Sequence, residues 1–275
     1  MNKFTGRFSF DATTIKLAAV FLMVLDHFYQ MFAPLGAPVW LTWLGRPVLV
    51  IFLFVLADTF YYTRDRKKLL LRLFLASCLM QIATAVLSTL LPNPQVDLFN
   101  NAFATLLTAG LYLMFWELGR AGLRNKQPAQ VALAVALAFL PVLTGFLIYY
   151  VTYADFWFSA GFAGTWLYPA TQLVVGMLPN VLTVEGGPLF ILLGLLFYVF
   201  RERRFSQAAI LAGCSALLFF TYQDLARQWL MVLAALPILL YNGEKGRGFK
   251  SFFYLFYPAH IFLLYLVATI LLQGR

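Results

Sequence analysis

Apolar runs of about 20 residues, separated by short polar or basic stretches, recur along the whole chain. They cover residues 15–33, 39–63, 69–91, 101–119, 129–152, 187–200, 206–222, 226–241 and 251–272. A helical run of that length crosses the ~30 Å hydrocarbon core of a bilayer. Lipid offers the backbone no hydrogen-bond partners, so each run is predicted to be a helix. Residues 153–188, rich in aromatics, Gly and Pro, read either as a further span or as a re-entrant or lid segment at the outer face. The predicted fold class is therefore an all-α polytopic membrane protein. It is a bundle of about nine to ten transmembrane helices forming a single domain over residues 1–275.

Composition sharpens this picture. Of 275 residues, 62% are hydrophobic and 11% charged, whereas soluble domains are about half apolar and about a quarter charged. A soluble enzyme or binding module is excluded. The net charge of +9 would point to nucleic acid in a soluble chain, but here the cations lie in short loops, where topology places them. No nucleic-acid partner is expected; the surrounding partners are membrane lipids. If residues 153–188 do not cross, Lys3, Arg7, Lys16, Arg64, Arg66, Lys67, Lys68, Arg72, Arg120, Arg124, Lys126, Arg201, Arg203, Arg204, Lys245, Arg247 and Lys250 face one side. That side is the cytoplasm, with the amino terminus inside and residues 153–188 outside. The basic start lacks a small-residue cleavage site, so the first apolar run is a retained span. Cys78 and Cys214 sit in different segments without metal-ligand spacing and read as core residues. No metal is predicted.

Ionisable groups at membrane depth are costly, and they face the bundle interior, where they pair or serve function. The chain has two histidines, His27 in the first span and His260 in the last. Both lie about 15–18 Å from the cytoplasmic ends of their helices, counting ~1.5 Å per residue. The two imidazoles thus share one layer, as a common site requires; the bland reading is a pair of buried histidines that only join helices. Asp26 is rotated ~100° from His27, so it pairs with Gln30 at i+4 or with a cation on another helix. In WLTWLGRPVLVIFLF, residues 40–54, Pro47 suits a first helical turn. Arg46 then sits at or just before a helix start at the outer membrane region. It is either an anion or oxyanion site or a snorkelling interfacial cation. Asn100 either donates to a carbonyl oxygen or caps the helix that follows. Glu185 reads as a cap or dipole partner at an outer helix start. In TRDRKKLLLRL, residues 63–73, the cations Arg64, Arg66, Lys67, Lys68 and Arg72 either serve topology alone or grip cofactor phosphates. NGEKGRGFK, residues 242–250, lacks the strand–loop–helix context of a phosphate loop.

IKLAAVFLMVLDHF, LGRPVLVIFLFVLADTFYYTRDRKKLLLRLFLAS, NNAFATLL and FFYLFYPAHIFLLYLV together resemble the TraX family, named for F-pilin acetylation, which is similar in architecture to the broader transmembrane acyltransferases. The likeness covers the first four spans and the last. Two departures stand out: Pro47 follows Arg46 directly where the family has A-F-P, and Glu185 precedes Gly186 where it has a tyrosine. The resemblance implies transfer of an acetyl group from cytoplasmic acetyl-CoA to an extracytoplasmic peptide amine or glycan hydroxyl. It implies His27 as the catalytic histidine, with Asp26, Arg46, Asn100 and His260 as companions. An imidazole titrates near neutrality and suits a general base; transfer through a transient acetyl-imidazole is the alternative route. The alternative from another class is a proton-coupled transporter or flippase, with Asp26, His27, Arg46, Asp58 and His260 as a relay.

Overall fold

A computed structural model of the protein describes residues 9–153, 165, 167–222 and 227–274. Its elements are α1 (Ala12–Phe32), a 3-10 turn (Ala33–Leu35), α2 (Trp40–Gly45), α3 (Val48–Tyr62), α4 (Arg66–Leu90), α5 (Ala102–Arg124), α6 (Pro128–Tyr153), α7 (Leu167–Gly176), α8 (Gly187–Val199), α9 (Arg204–Tyr222), a 3-10 helix (Gln228–Ala234), α10 (Ala235–Leu240) and α11 (Lys250–Gln273). The all-α prediction holds. Among the described residues, 7 helical stretches are long and apolar enough to cross a membrane. Two predicted segments are helical but short. Gly187–Val199 has 13 residues, a rise of about 20 Å, and Gln228–Leu240 begins as a 3-10 helix.

The span over residues 39–63 is broken in the middle. α2 ends at Gly45, Arg46 follows, and Pro47, which has no N–H to offer a preceding turn, leads directly into α3. The segment 153–188 falls partly outside the described residues, at 154–164 and 166. Its described part holds α7, whose 10 residues are too few to cross.

Helix faces divide as a lipid environment requires. On α4, Leu71, Leu75, Leu79, Ile82, Val86 and Leu90 are exposed, a stripe at steps of three and four residues, while Leu69, Leu70, Leu73, Ser77 and Met80 are buried. An apolar stripe of that kind has lipid, not water, as its solvent.

The described chain falls into two compact units. Unit 1 comprises residues 1–59, 87–98 and 196–275, and unit 2 residues 60–86 and 99–195. In unit 2, α5 and α6 form a tight antiparallel pair, closed by a turn in which Lys126 has φ +54°. Gly110 leaves room for Leu70 of α4, whose Cδ2 would lie 2.6 Å from an added Cβ. In unit 1, Asp58 of α3 accepts from Arg204 of α9 (3.4 Å) and from the Tyr241 hydroxyl (2.8 Å). The Arg204 guanidinium lies over the rings of Phe54 and Tyr241, so a half-buried cation is satisfied by a carboxylate and two π faces.

The loop 242–248 closes over the start of α1. The Ala12 amide donates to the Glu244 carbonyl (2.8 Å), and the Thr13 hydroxyl lies against the carbonyls of Lys245 and Arg247. The carbonyls of Glu244, Lys245 and Arg247 thus receive donors from the first turn, and this glycine-rich stretch helps to cap α1. Gly246 (φ +68°) packs so closely on Asp11 that a Cβ would collide with the carboxylate.

Asp11 is the N-cap of α1, accepting from the Thr14 amide at 2.7 Å. That bond holds its carboxyl below the usual carboxylate range, against the opposing effect of partial burial. A carboxyl depressed in the folded state contributes stability at neutral pH and loses it as the pH falls through and below that range. Asp11→Ala is expected to cost about 1 kcal/mol at neutral pH. In thermal unfolding the gap between variant and wild type should close in acid; a gap unchanged with pH would show that the cap contributes nothing through its charge.

Candidate active site

His27 and His260 are brought together. α1 packs on α11, and the two rings meet in the interior of unit 1, 5% and 7% exposed. His27 Nδ1 lies 2.6 Å from His260 Nε2. The rings are 24° from coplanar with centroids 4.9 Å apart. The centroid spacing exceeds the N···N distance by about two ring radii, so the rings meet edge to edge along a short hydrogen bond. His260 Nδ1 lies 2.8 Å from the Phe256 carbonyl, one turn back on α11. The Phe256 ring stacks against His260, with centroids 5.0 Å apart and planes 15° apart. Tyr257, 6% exposed, packs beside both imidazoles.

Asp26 faces the other way, as the rotation of one residue on a helix requires. Its Oδ2 accepts from the Gln30 amide at 3.1 Å, the predicted i+4 pair. Its Oδ1 accepts from the Thr42 hydroxyl. Thr42 in turn accepts from Arg46 NH2 at 2.9 Å. The carboxylate and the guanidinium are therefore linked through one hydroxyl, which donates to the acid and accepts from the base. Arg46 NH1 reaches Gln228 Oε1 at 3.3 Å. Arg46 Nε is buried with no hydrogen-bond partner among the described residues. Arg227 lies with its guanidinium 4.2 Å over the Trp43 ring.

The other predicted site residues belong to unit 2. Asn100 is buried, but the cap of α5 is Asn101, which accepts from the Ala104 amide. Glu185 accepts from the Asn101 amide through its side chain and from the Thr105 hydroxyl through its carbonyl, which ties it to the start of α5. The basic cluster divides. Arg66 is committed to Glu117 at 3.4 Å, to the Phe60 carbonyl at 3.2 Å and to the Phe60 ring. Arg64, Lys67 and Lys68 are exposed, and Arg72 is partly exposed. Asp65 caps α4 by accepting from the Lys68 amide, which fixes the backbone beneath these cations. Among the described residues, no group of three or more His, Cys, Asp or Glu side chains is placed to hold a metal.

Sequence reasoning missed Thr42, Gln228 and the Phe256 carbonyl. Thr42 had a signal, since it stands four residues before Arg46, a spacing at which helical side chains meet. Gln228 had none: its contact joins positions 182 residues apart.

The family model for the TraX protein matches residues 11–178 and 163–268. The chain belongs to the TraX family. His27 lies in the first matched stretch and His260 in the second, so the pair unites both. The chain is also similar to the probable fimbrial assembly protein FimC, serogroup H1, of Dichelobacter nodosus. The two are 28% identical over 279 residues, covering 93% of this chain and 94% of that protein. No solved structure matches the chain.

In this TraX chain, Gly45 of α2 packs so tightly on α1 that a Cβ would overlap the Asp26 side chain. Gly45→Ala is expected to displace Asp26 from Thr42 and destabilise the protein by about 1–3 kcal/mol, the usual cost of overpacking. Gly213 in α9 has open space around it, so Gly213→Ala should be neutral or stabilising by up to ~1 kcal/mol. Equal unfolding temperatures for the two variants would contradict the close contact at Gly45.

Proposed function

We propose that the protein is an acetyltransferase of the bacterial inner membrane, taking the acetyl group of cytoplasmic acetyl-CoA and passing it to an amine or hydroxyl on an extracytoplasmic acceptor. The observation that carries this reading is the buried His27–His260 pair, in a chain of a family named for pilin acetylation. A buried imidazole pair can accept a proton within an apolar interior and return it, which acyl transfer to an amine or hydroxyl needs.

The acceptor X–H attacks the thioester carbonyl. The X–C bond forms as the C–S bond breaks, and His27 takes the proton from X and returns it to the departing CoA thiolate. The products are acetyl-X and CoA. The buried Nε of Arg46, without a hydrogen-bond partner among the described residues, supports a role for that guanidinium at the tetrahedral oxyanion, a contact typically worth about 3–4 kcal/mol. Asp26 serves as an anchor: through Thr42 and Gln30 it orients α1 and holds Arg46.

The exposed cations Arg64, Lys67 and Lys68, with Arg72, support phosphate binding on the cytoplasmic side, and the bias of Lys and Arg supports an amino terminus inside. Arg66 contributes less, being spent on Glu117. The name of the Dichelobacter relative, a probable fimbrial assembly protein, favours a pilin-like peptide as acceptor over a glycan. A proton-coupled transporter fits less well, because Asp58, one of its relay groups, is bonded to Arg204 and Tyr241.

The test is acetyl transfer from labelled acetyl-CoA in proteoliposomes carrying candidate peptide and glycan acceptors. His27→Ala should lose transfer by a factor of about 100 or more; transfer at the wild-type rate would remove the mechanism. Neutralising Arg64, Lys67 and Lys68 together should raise KM for acetyl-CoA with little change in kcat, the signature of lost uniform binding. A fall in kcat at constant KM would place those residues elsewhere in the cycle.

A further inference from the structure

A backbone carbonyl has no proton to give. Any hydrogen bond between the Phe256 carbonyl and the His260 ring, 2.8 Å apart, must therefore be donated by His260 Nδ1–H. A neutral imidazole carries one N–H, so His260 Nε2 bears a lone pair. That nitrogen lies 2.6 Å from His27 Nδ1, which must then be the donor. The proton of neutral His27 is thereby placed on Nδ1, and its lone pair on Nε2. The chain of bonds runs in one direction only, from His27 through His260 to the carbonyl, because the reverse order would require the carbonyl to donate.

We infer that His260 is a positioning residue that fixes His27 in its Nδ1–H tautomer and so makes His27 Nε2 the atom that accepts the acceptor's proton. His260 does not touch the reacting atoms. Its own ring is held on two sides, by the Phe256 carbonyl one turn back and by the parallel Phe256 ring. Pro258 lies between Phe256 and His260 in α11, where its ring restricts the backbone of that turn.

The arrangement also fixes the proton capacity of the pair. One added proton enters at His27 Nε2, and the imidazolium keeps its Nδ1–H on His260 Nε2. A second would set N–H against N–H across a 2.6 Å gap, so the pair cycles between no charge and one. The same reasoning assigns any acetyl-imidazole intermediate to His27 Nε2, since Nδ1 is occupied.

The functional half of this inference rests on the acetyl-transfer reading; the tautomer assignment does not. The chain has two histidines, so the protein, labelled with ring-15N histidine and purified without a polyhistidine tag, gives four ring-nitrogen signals by NMR. The expected spectrum at a pH where both rings are neutral shows a protonated Nδ1 and a bare Nε2 on each ring, with an N–H···N coupling between the two residues. A protonated Nε2 on either ring would overturn the assignment.

Kinetics then test the role. His260→Leu removes the acceptor and is expected to lower kcat about ten- to a hundredfold with KM for acetyl-CoA unchanged. His260→Gln returns an acceptor oxygen and should recover most of that loss. Equal activity of the Leu and Gln variants would refute the positioning role. If the wild-type protein transfers no acetyl group while both tautomers are as assigned, the proposed reaction fails and the assignment of the pair stands.

Discussion

The protein is organised by one constraint: a polar side chain inside an apolar layer must find its partner within the protein, because lipid supplies none. His27 and His260 satisfy this by bonding to each other, and His260 closes the chain on a carbonyl of its own helix. The bond joins the first and last helices of the chain, 233 residues apart in sequence. Asp26 and Arg46 meet the same demand through Thr42, Gln30 and Gln228. Asp58 and Arg204 meet it through an ion pair, a tyrosine hydroxyl and two aromatic faces.

These networks differ in what they leave over. Asp58 accepts both a guanidinium and a hydroxyl, and its cation is enclosed by rings, so this cluster locks α3 to α9 and Tyr241. Arg46 keeps a buried donor at Nε with no partner among the described residues. Buried donors are seldom left so, and an unspent donor is what a developing oxyanion needs. The histidine pair holds one proton between its rings, and the tautomer inferred for it leaves His27 Nε2 with a lone pair, the property of a base. The physics that makes polar groups expensive in a membrane thus also makes the few that are present informative.

The sequence displayed the spans, the i+4 pairing of Asp26 with Gln30 and the common depth of the two histidines, because these depend on helical geometry and on the length of apolar runs. The helix start at Pro47, just after Arg46, was also legible, but α2 was not legible as a helix of its own, since it has only six residues and hydropathy averages across it. The runs 187–200 and 226–241 are the two shortest apolar runs in the sequence, and they fold as the short helical stretches Gly187–Val199 and Gln228–Leu240, the first preceded by a glycine of positive φ at 186 and the second opening as a 3-10 helix. Arg66 looked equivalent to its basic neighbours. Only the fold reveals Glu117 beside it, 51 residues away. Asn100 and Asn101 were adjacent candidates for one cap, and the backbone gave it to the second.

The central claim, that this membrane protein is built to receive a thioester, is tested most directly by thermal unfolding of the detergent-purified wild type with and without acetyl-CoA. A ligand that binds the folded state alone, present at about 100 times its Kd, stabilises by about 2.7 kcal/mol, and the account predicts a shift of that order, with a smaller one for CoA analogues lacking the phosphates. An unfolding temperature unmoved by saturating acetyl-CoA would contradict it, and the histidine pair would then have to be explained as a proton-carrying device of another kind.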